Sequence, residues 1–81
     1  MNRAQIFEKV QEIFRDIFDD QSLNINDATN SDHIDDWDSL NHINLVVSIE
    51  KEFNIKFNFN ELSGLKDVGA MIDLIVEKIE K

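Results

Sequence analysis

Not one proline interrupts this chain, and its 81 residues hold only two glycines and no cysteine. A fold built from tight turns would lack its usual punctuation here, so long helices are favoured over a turn-rich β architecture. The missing cysteine excludes disulfides, thiolate metal sites and a cysteine nucleophile. Any thiol chemistry must therefore come from an added group. An apolar fraction of 42% is enough for a packed core rather than a disordered polymer. A chain of this size buries only about 60–65% of its unfolded surface. That allows one modest core and leaves little room for a deep enzyme cleft. With Met1 at its start, the chain is expected to be one whole small domain, 1–81.

Charge narrows the partners. Eight basic residues against 17 acidic ones give a net charge of −9. Such a surface repels phosphate, so nucleic acid is not expected, and a basic protein surface is. Apolar runs such as Leu45-Val46-Val47 are far too short to span a membrane. Met1-Asn2-Arg3-Ala4-Gln5 has no apolar signal core behind its one charge. The expectation is a cytoplasmic protein, and a monomer, since nothing in the pattern demands an oligomer.

Helical periodicity appears first from Arg3 to Asp19. Phe7, Val10, Phe14 and Ile17 recur at three- and four-residue spacing, and Ile6, Ile13 and Phe18 widen the stripe. From Asp20 to Trp37 the period is lost among Asn, Asp, Ser and Thr. This predicts a long loop, near the upper limit for a compact domain, pinned to the bundle by Leu23, Ile25 and Ile34, with Trp37 as a further anchor. Asp38 is a strong N-cap for a second helix, Ser39 to Phe53. Its apolar set of Leu40, Ile43, Leu45, Val46, Val47, Ile49 and Phe53 is broader than one stripe, so some of these face outward. Asn54 to Asn58 breaks the pattern. A short helix follows around Asn60 to Ser63, ended by Gly64. Asp67 then caps a last helix, with Val68, Met71, Ile72, Ile75 and Ile79 buried, Met71 as core filling, and Lys78 and Lys81 suited to its negative end. Gly69 in its first turn weakens it slightly. The expected fold is an all-α bundle of three major helices and a short third one, with a long loop joining the first two.

The informative stretch is Asp35-Asp36-Trp37-Asp38-Ser39-Leu40-Asn41-His42-Ile43. It places Ser39 first in a helix, where unpaired N–H groups and the helix dipole stabilise an anion. A phosphodiester on the Ser39 hydroxyl would sit in that field. Asp-Ser-Leu at this junction, Trp37 before it, His42 after it and the later Glu50-Lys51-Glu52-Phe53 resemble the acyl carrier proteins. The resemblance covers nearly the whole chain.

The resemblance implies a four-helix carrier that catalyses nothing itself and has no metal site. It implies that a phosphopantetheinyl transferase, using coenzyme A and Mg²⁺, attaches 4'-phosphopantetheine to Ser39. It further implies that Asp38, besides capping the helix, is the residue the transferase recognises. The arm's thiol would then carry an acyl or aminoacyl group as a thioester, raising its effective concentration at successive acyl-loading and acyl-transfer enzymes. Typical fatty-acid carriers have acidic residues two and five positions after the serine, where this chain has Asn41 and Asn44. That departure favours a specialised pathway, such as polyketide, lipid, peptide or surface-sugar acylation. Leu40, Ile43 and Val47, with Glu50 below them, are candidate docking residues for partners with apolar or basic patches. For Ile43 and Val47 the competing assignment is core packing. A long acyl chain would fold back among groups such as Val46, Leu62 and Ile72.

Three other readings are weighed against this one. A small hydrolase using Ser39 lacks a Gly-x-Ser-x-Gly elbow. His42, one turn beyond the serine, makes no triad and is read as a solvent-exposed helix residue. A calcium loop starting at Asp27 would need Gly at its sixth position and Glu at its twelfth, where this chain has Asp32 and Asp38. Weak adventitious cation binding by Asp32, Asp35 and Asp36 is the most that loop suggests. A non-modified acidic helical interaction module is the remaining alternative, and it predicts full function after Ser39→Ala.

Overall fold

The computed structural model describes residues 2–80, so the expectation for Lys81 lies outside the described residues. Its elements are α1 (Arg3–Ile17), α2 (Ser39–Phe53), α3 (Phe59–Leu62) and α4 (Val68–Glu80), the all-α arrangement expected. α1 begins in a capping box. The Asn2 side chain accepts from the Gln5 N–H at 2.9 Å, and the Gln5 side chain accepts from the Asn2 N–H at 3.0 Å. Two amides at the helix start are thereby satisfied. The helix ends at Ile17, two residues short of the expected Asp19. Asp19 has a left-handed φ of 51°, which a right-handed helix cannot continue through.

The buried face of α1 is Ile6, Val10, Ile13 and Phe14. Phe7 and Ile17, expected at the centre of the stripe, lie half-buried at its margin. α1 packs against both α2 and α4, so its buried arc is set by two neighbours rather than one. The opposing faces are Leu45, Val46 and Ile49 of α2 and Val68, Met71, Ile72 and Ile75 of α4. Met71 is fully buried core filling, as expected, while Ile79 is only half-buried.

Residues 18–38 form the long connection. Ile25 enters the core, and Leu23 and Ile34 pack against it, as the sequence predicts. The polar flank of α1 holds the same segment. The Gln11 side chain accepts from the Ile25 N–H at 3.0 Å, and Arg15 Nε donates to the Leu23 carbonyl at 2.7 Å. On its other side the loop caps α4. The Thr29 carbonyl accepts from the Val68 N–H and the Asp27 carbonyl from the Gly69 N–H, both at 2.9 Å. Asp67 Oδ1 accepts from the Ala70 N–H at 2.8 Å, the cap expected there. Gly69 is therefore more than a weak point in the helix. A Cβ at this position would stand 2.9 Å from the Asp27 carbonyl oxygen, a distance only glycine permits.

The α2–α4 connection is fixed locally. Asn54 takes the left-handed conformation that ends α2, with φ 54° and ψ 50°. α3 starts earlier than expected, at Phe59, because Asn58 and Glu61 form a second capping box. Lys78 reaches across from the last turn of α4 to Glu61 at 2.7 Å and lies 5.7 Å from the Phe57 ring centre. Its role thus extends beyond its own helix end to tying α4 to α3.

Candidate functional site

The loop-to-helix junction before α2 has the geometry of a well-formed N-cap. Asp38 is extended, at φ −100° and ψ −175°. Its Oδ1 accepts from the Asn41 N–H at 2.8 Å, and its carbonyl accepts from the His42 N–H at 2.8 Å. The Asn41 side chain donates back to the Asp36 carbonyl at 2.7 Å, which fastens the helix start to the loop. Ser39 is the first helical residue and is exposed. Among the described hydrogen bonds none uses the N–H of Ser39 or Leu40, as expected for the first amides of a helix. A hydroxyl therefore stands at the positive end of a 15-residue helix, open to solvent.

Beside it lies an open hollow of about 560 Å³, lined by Ser31, Trp37, Asp38, Ser39, His42 and Ile43. Trp37 is its inner wall. The indole is 7% exposed and meets Phe14 edge-on, ring centres 5.2 Å apart, so it anchors the loop as expected. Its Nε1–H donates to His42 Nδ1 at 3.1 Å, and the two rings lie nearly parallel, 18° apart. The expectation of a solvent-exposed His42 is corrected here. The imidazole is half-buried and serves as the acceptor for a buried indole N–H that would otherwise be unpaired. Burial pushes its pKa below 6.5. The hydrogen bond acts in the same direction, because a protonated Nδ1 could not accept it.

The outward residues of α2 sort cleanly. Leu40, Ile43 and Val47 are 68%, 59% and 42% exposed, so core packing does not account for them. Val46 and Ile72 are buried, and Leu62 is half-buried against the core cluster to which they belong. Glu50 is half-buried, and its Oε2 accepts from the Phe57 N–H at 2.9 Å. That carboxylate is thus part of the frame that holds the α2–α3 connection, a use its sequence position did not reveal. Asp32, Asp35 and Asp36 are exposed around the junction. Among the described residues no group of three or more His, Asp or Glu is placed to hold a metal ion, and no helix is long and apolar enough to cross a membrane.

Sequence reasoning missed three features. The Trp37–His42 pair has no signature, because five-residue spacing across a loop-to-helix junction is not a recognised contact. Ser31 joins the hollow only through the loop's path. Phe59, 85% exposed on α3, could have been placed by reading Asn58 and Glu61 as a capping box.

The family model described as a phosphopantetheine attachment site matches residues 8–75. The chain is 33% identical over 81 residues to an acyl carrier protein of Petrotoga mobilis, covering 98% of this chain and 93% of that one. It is 34% identical over 79 residues to an acyl carrier protein of Clostridium perfringens, covering 94% of this chain and all of the other. Among solved structures, a holo acyl carrier protein of Geobacter metallireducens superposes with a TM-score of 0.87 at 43% identity, over 93% of this chain and 86% of that one. The members of this family are helical carriers that bear 4'-phosphopantetheine, are not themselves catalytic, and work with a phosphopantetheinyl transferase and acyl-handling enzymes. Helix order, capped serine junction and kinship agree, and the chain belongs to the acyl carrier protein family.

Proposed function

We propose that Ser39 carries the 4'-phosphopantetheine of this protein and that Asp38 positions it and is read by the transferase. The observation that carries this reading is the exposed Ser39 hydroxyl at a capped helix start, beside an open hollow. In the attachment step the Ser39 oxygen bonds to the phosphorus of the pantetheine phosphate in coenzyme A. The phosphoanhydride bond to the adenosine bisphosphate breaks, and the hydroxyl proton passes to the transferase. The first amides of α2 and its dipole favour the resulting phosphodiester anion. When bound, the group supplies the thiol that a chain without cysteine lacks, and it holds an acyl or aminoacyl group as a thioester.

Leu40, Ile43 and Val47 form the apolar docking face for the enzymes that load and unload that group, acting as one carrier domain, as a monomer and in the cytoplasm. The charge that would attract basic partners lies around the junction, at Asp32, Asp35 and Asp36, rather than at Asn41 and Asn44. Glu50, tied to the Phe57 amide, adds fixed negative charge at the foot of the face. This distribution supports a specialised acylation pathway rather than fatty-acid synthesis. Long acyl chains would insert near Val46, Leu62 and Ile72. Intact mass after incubation with coenzyme A, Mg²⁺ and a broad-specificity phosphopantetheinyl transferase tests the central claim. The wild type should gain one phosphopantetheine and Ser39→Ala none. No gain with several transferases on folded protein would leave an unmodified interaction module as the better account.

A further inference from the structure

The hollow beside Ser39 is lined in part by His42, whose ring has one nitrogen bonded within the protein and the other open to solvent. His42 Nδ1 accepts from the Trp37 indole at 3.1 Å, so the neutral imidazole must carry its proton on Nε2. Among the described hydrogen bonds none uses that Nε2–H. Trp37 thus fixes the tautomer of a ring that lines the hollow, leaving Nε2–H as the nitrogen donor it can offer. Ser31 adds a hydroxyl to the lining, and Ile43, 59% exposed, adds an apolar surface. A hollow of about 560 Å³ lies within the range of sites that hold small ligands, roughly 300–1,000 Å³. Its lining includes Ser39 itself, so a group tethered there reaches it without crossing the molecule. Pantetheine has matching chemistry: amide carbonyls that accept hydrogen bonds and a geminal dimethyl group that seeks apolar contact.

The geometry points to this hollow as a resting cradle for the pantetheine arm, with His42 Nε2–H donating to an arm carbonyl and Ile43 meeting the dimethyl group. The inference rests on Ser39 bearing the arm, and the measurement is arranged to separate the two. Apo protein is converted with coenzyme A and a transferase, and intact mass confirms the gain before any spectrum is taken. NMR of apo and holo forms then reads the Trp37 indole N–H, the His42 ring and the Ile43 methyls. The cradle predicts a shift of the indole resonance on conversion and cross-relaxation between the pantetheine methyls and Ile43. In His42→Glu, whose ionised carboxylate keeps an acceptor for the indole but offers no donor, losing one hydrogen bond of about 1 kcal/mol should lower the docking equilibrium constant about fivefold and shrink the shift. Holo protein whose Trp37, His42 and Ile43 signals match the apo form, with no cross-relaxation, would overturn the cradle and leave the carrier function standing. Absence of any mass gain would overturn both.

Discussion

At the scale of single residues, His42 and Asp38 make separable contributions. Burial holds the folded His42 pKa below 6.5, so the folded state favours the neutral ring. As pH falls below 6.5 the unfolded chain takes up the proton first, and the folded state loses stability until its own pKa is passed. Above 6.5 the contribution is fully present. An NMR titration should therefore give His42 an apparent pKa below 6.5, and His42→Gln should flatten the loss of stability that sets in as pH falls through 6.5. An apparent pKa at or above 6.5 would remove the indole–imidazole bond from the account. Asp38→Ala should cost about 1 kcal/mol in urea denaturation, the usual worth of an N-cap. Asp38→Asn should recover most of that stability, since asparagine caps equally well, yet remain a poorer transferase substrate because the charge is gone. Equal modification rates for Asn and Asp would reduce Asp38 to a cap alone. The cap was legible from the sequence because it depends on neighbours in the chain. The partner of His42 was not, since the imidazole meets an indole brought in by the loop's path.

Between elements, the decisive contact is the crossing of the long loop over the start of α4. Two of that helix's first amides, from Val68 and Gly69, are satisfied by loop carbonyls at 2.9 Å. Helix propensity alone says that Gly69→Ala should stabilise by about 1 kcal/mol. The structure reverses the sign, because the new methyl would stand 2.9 Å from the Asp27 carbonyl oxygen, a backbone atom that cannot rotate away. Forcing the loop outward should instead cost about 1–3 kcal/mol, the range for overpacking a tight site. Guanidinium unfolding of the variant checks this, and a rise in midpoint would show that the loop yields freely. Helix positions and the three loop anchors were readable because periodicity and isolated apolar residues report burial directly. The need for Gly69 was hidden, because close approach of two backbones leaves no mark in the pattern of either segment.

Across the whole molecule, negative charge far outweighs positive, with a net charge of −9. Among the described residues four ion pairs offset it locally, and they are worth little where exposed: Arg3 with Asp27 and with Asp73, Lys9 with Glu52, and Lys78 with Glu61. The described chain measures 33 × 25 × 22 Å. At about 0.01 M salt the screening length is roughly 30 Å, so nearly every acid in the fold feels every other. Two unit charges 20 Å apart then repel by about 0.2 kcal/mol in water, and many such pairs add to a few kcal/mol. At about 0.15 M the length falls to roughly 8 Å, and repulsion survives only between neighbours such as Asp35 and Asp36. The unfolded chain is more expanded and suffers less, so salt should favour the fold. Raising sodium chloride over that interval should increase the melting temperature by several degrees, since about 1 kcal/mol corresponds to 4–8 °C for a domain this small. The same acids are what a basic partner would meet at the Ser39 junction. Screening should therefore stabilise the carrier alone while weakening its grip on such a partner, and calorimetry beside a transferase assay at matched salt would read both. A melting temperature that falls with salt would mean that the ion pairs outweigh the repulsion, and the acidity would then be working for the fold rather than held against it for binding.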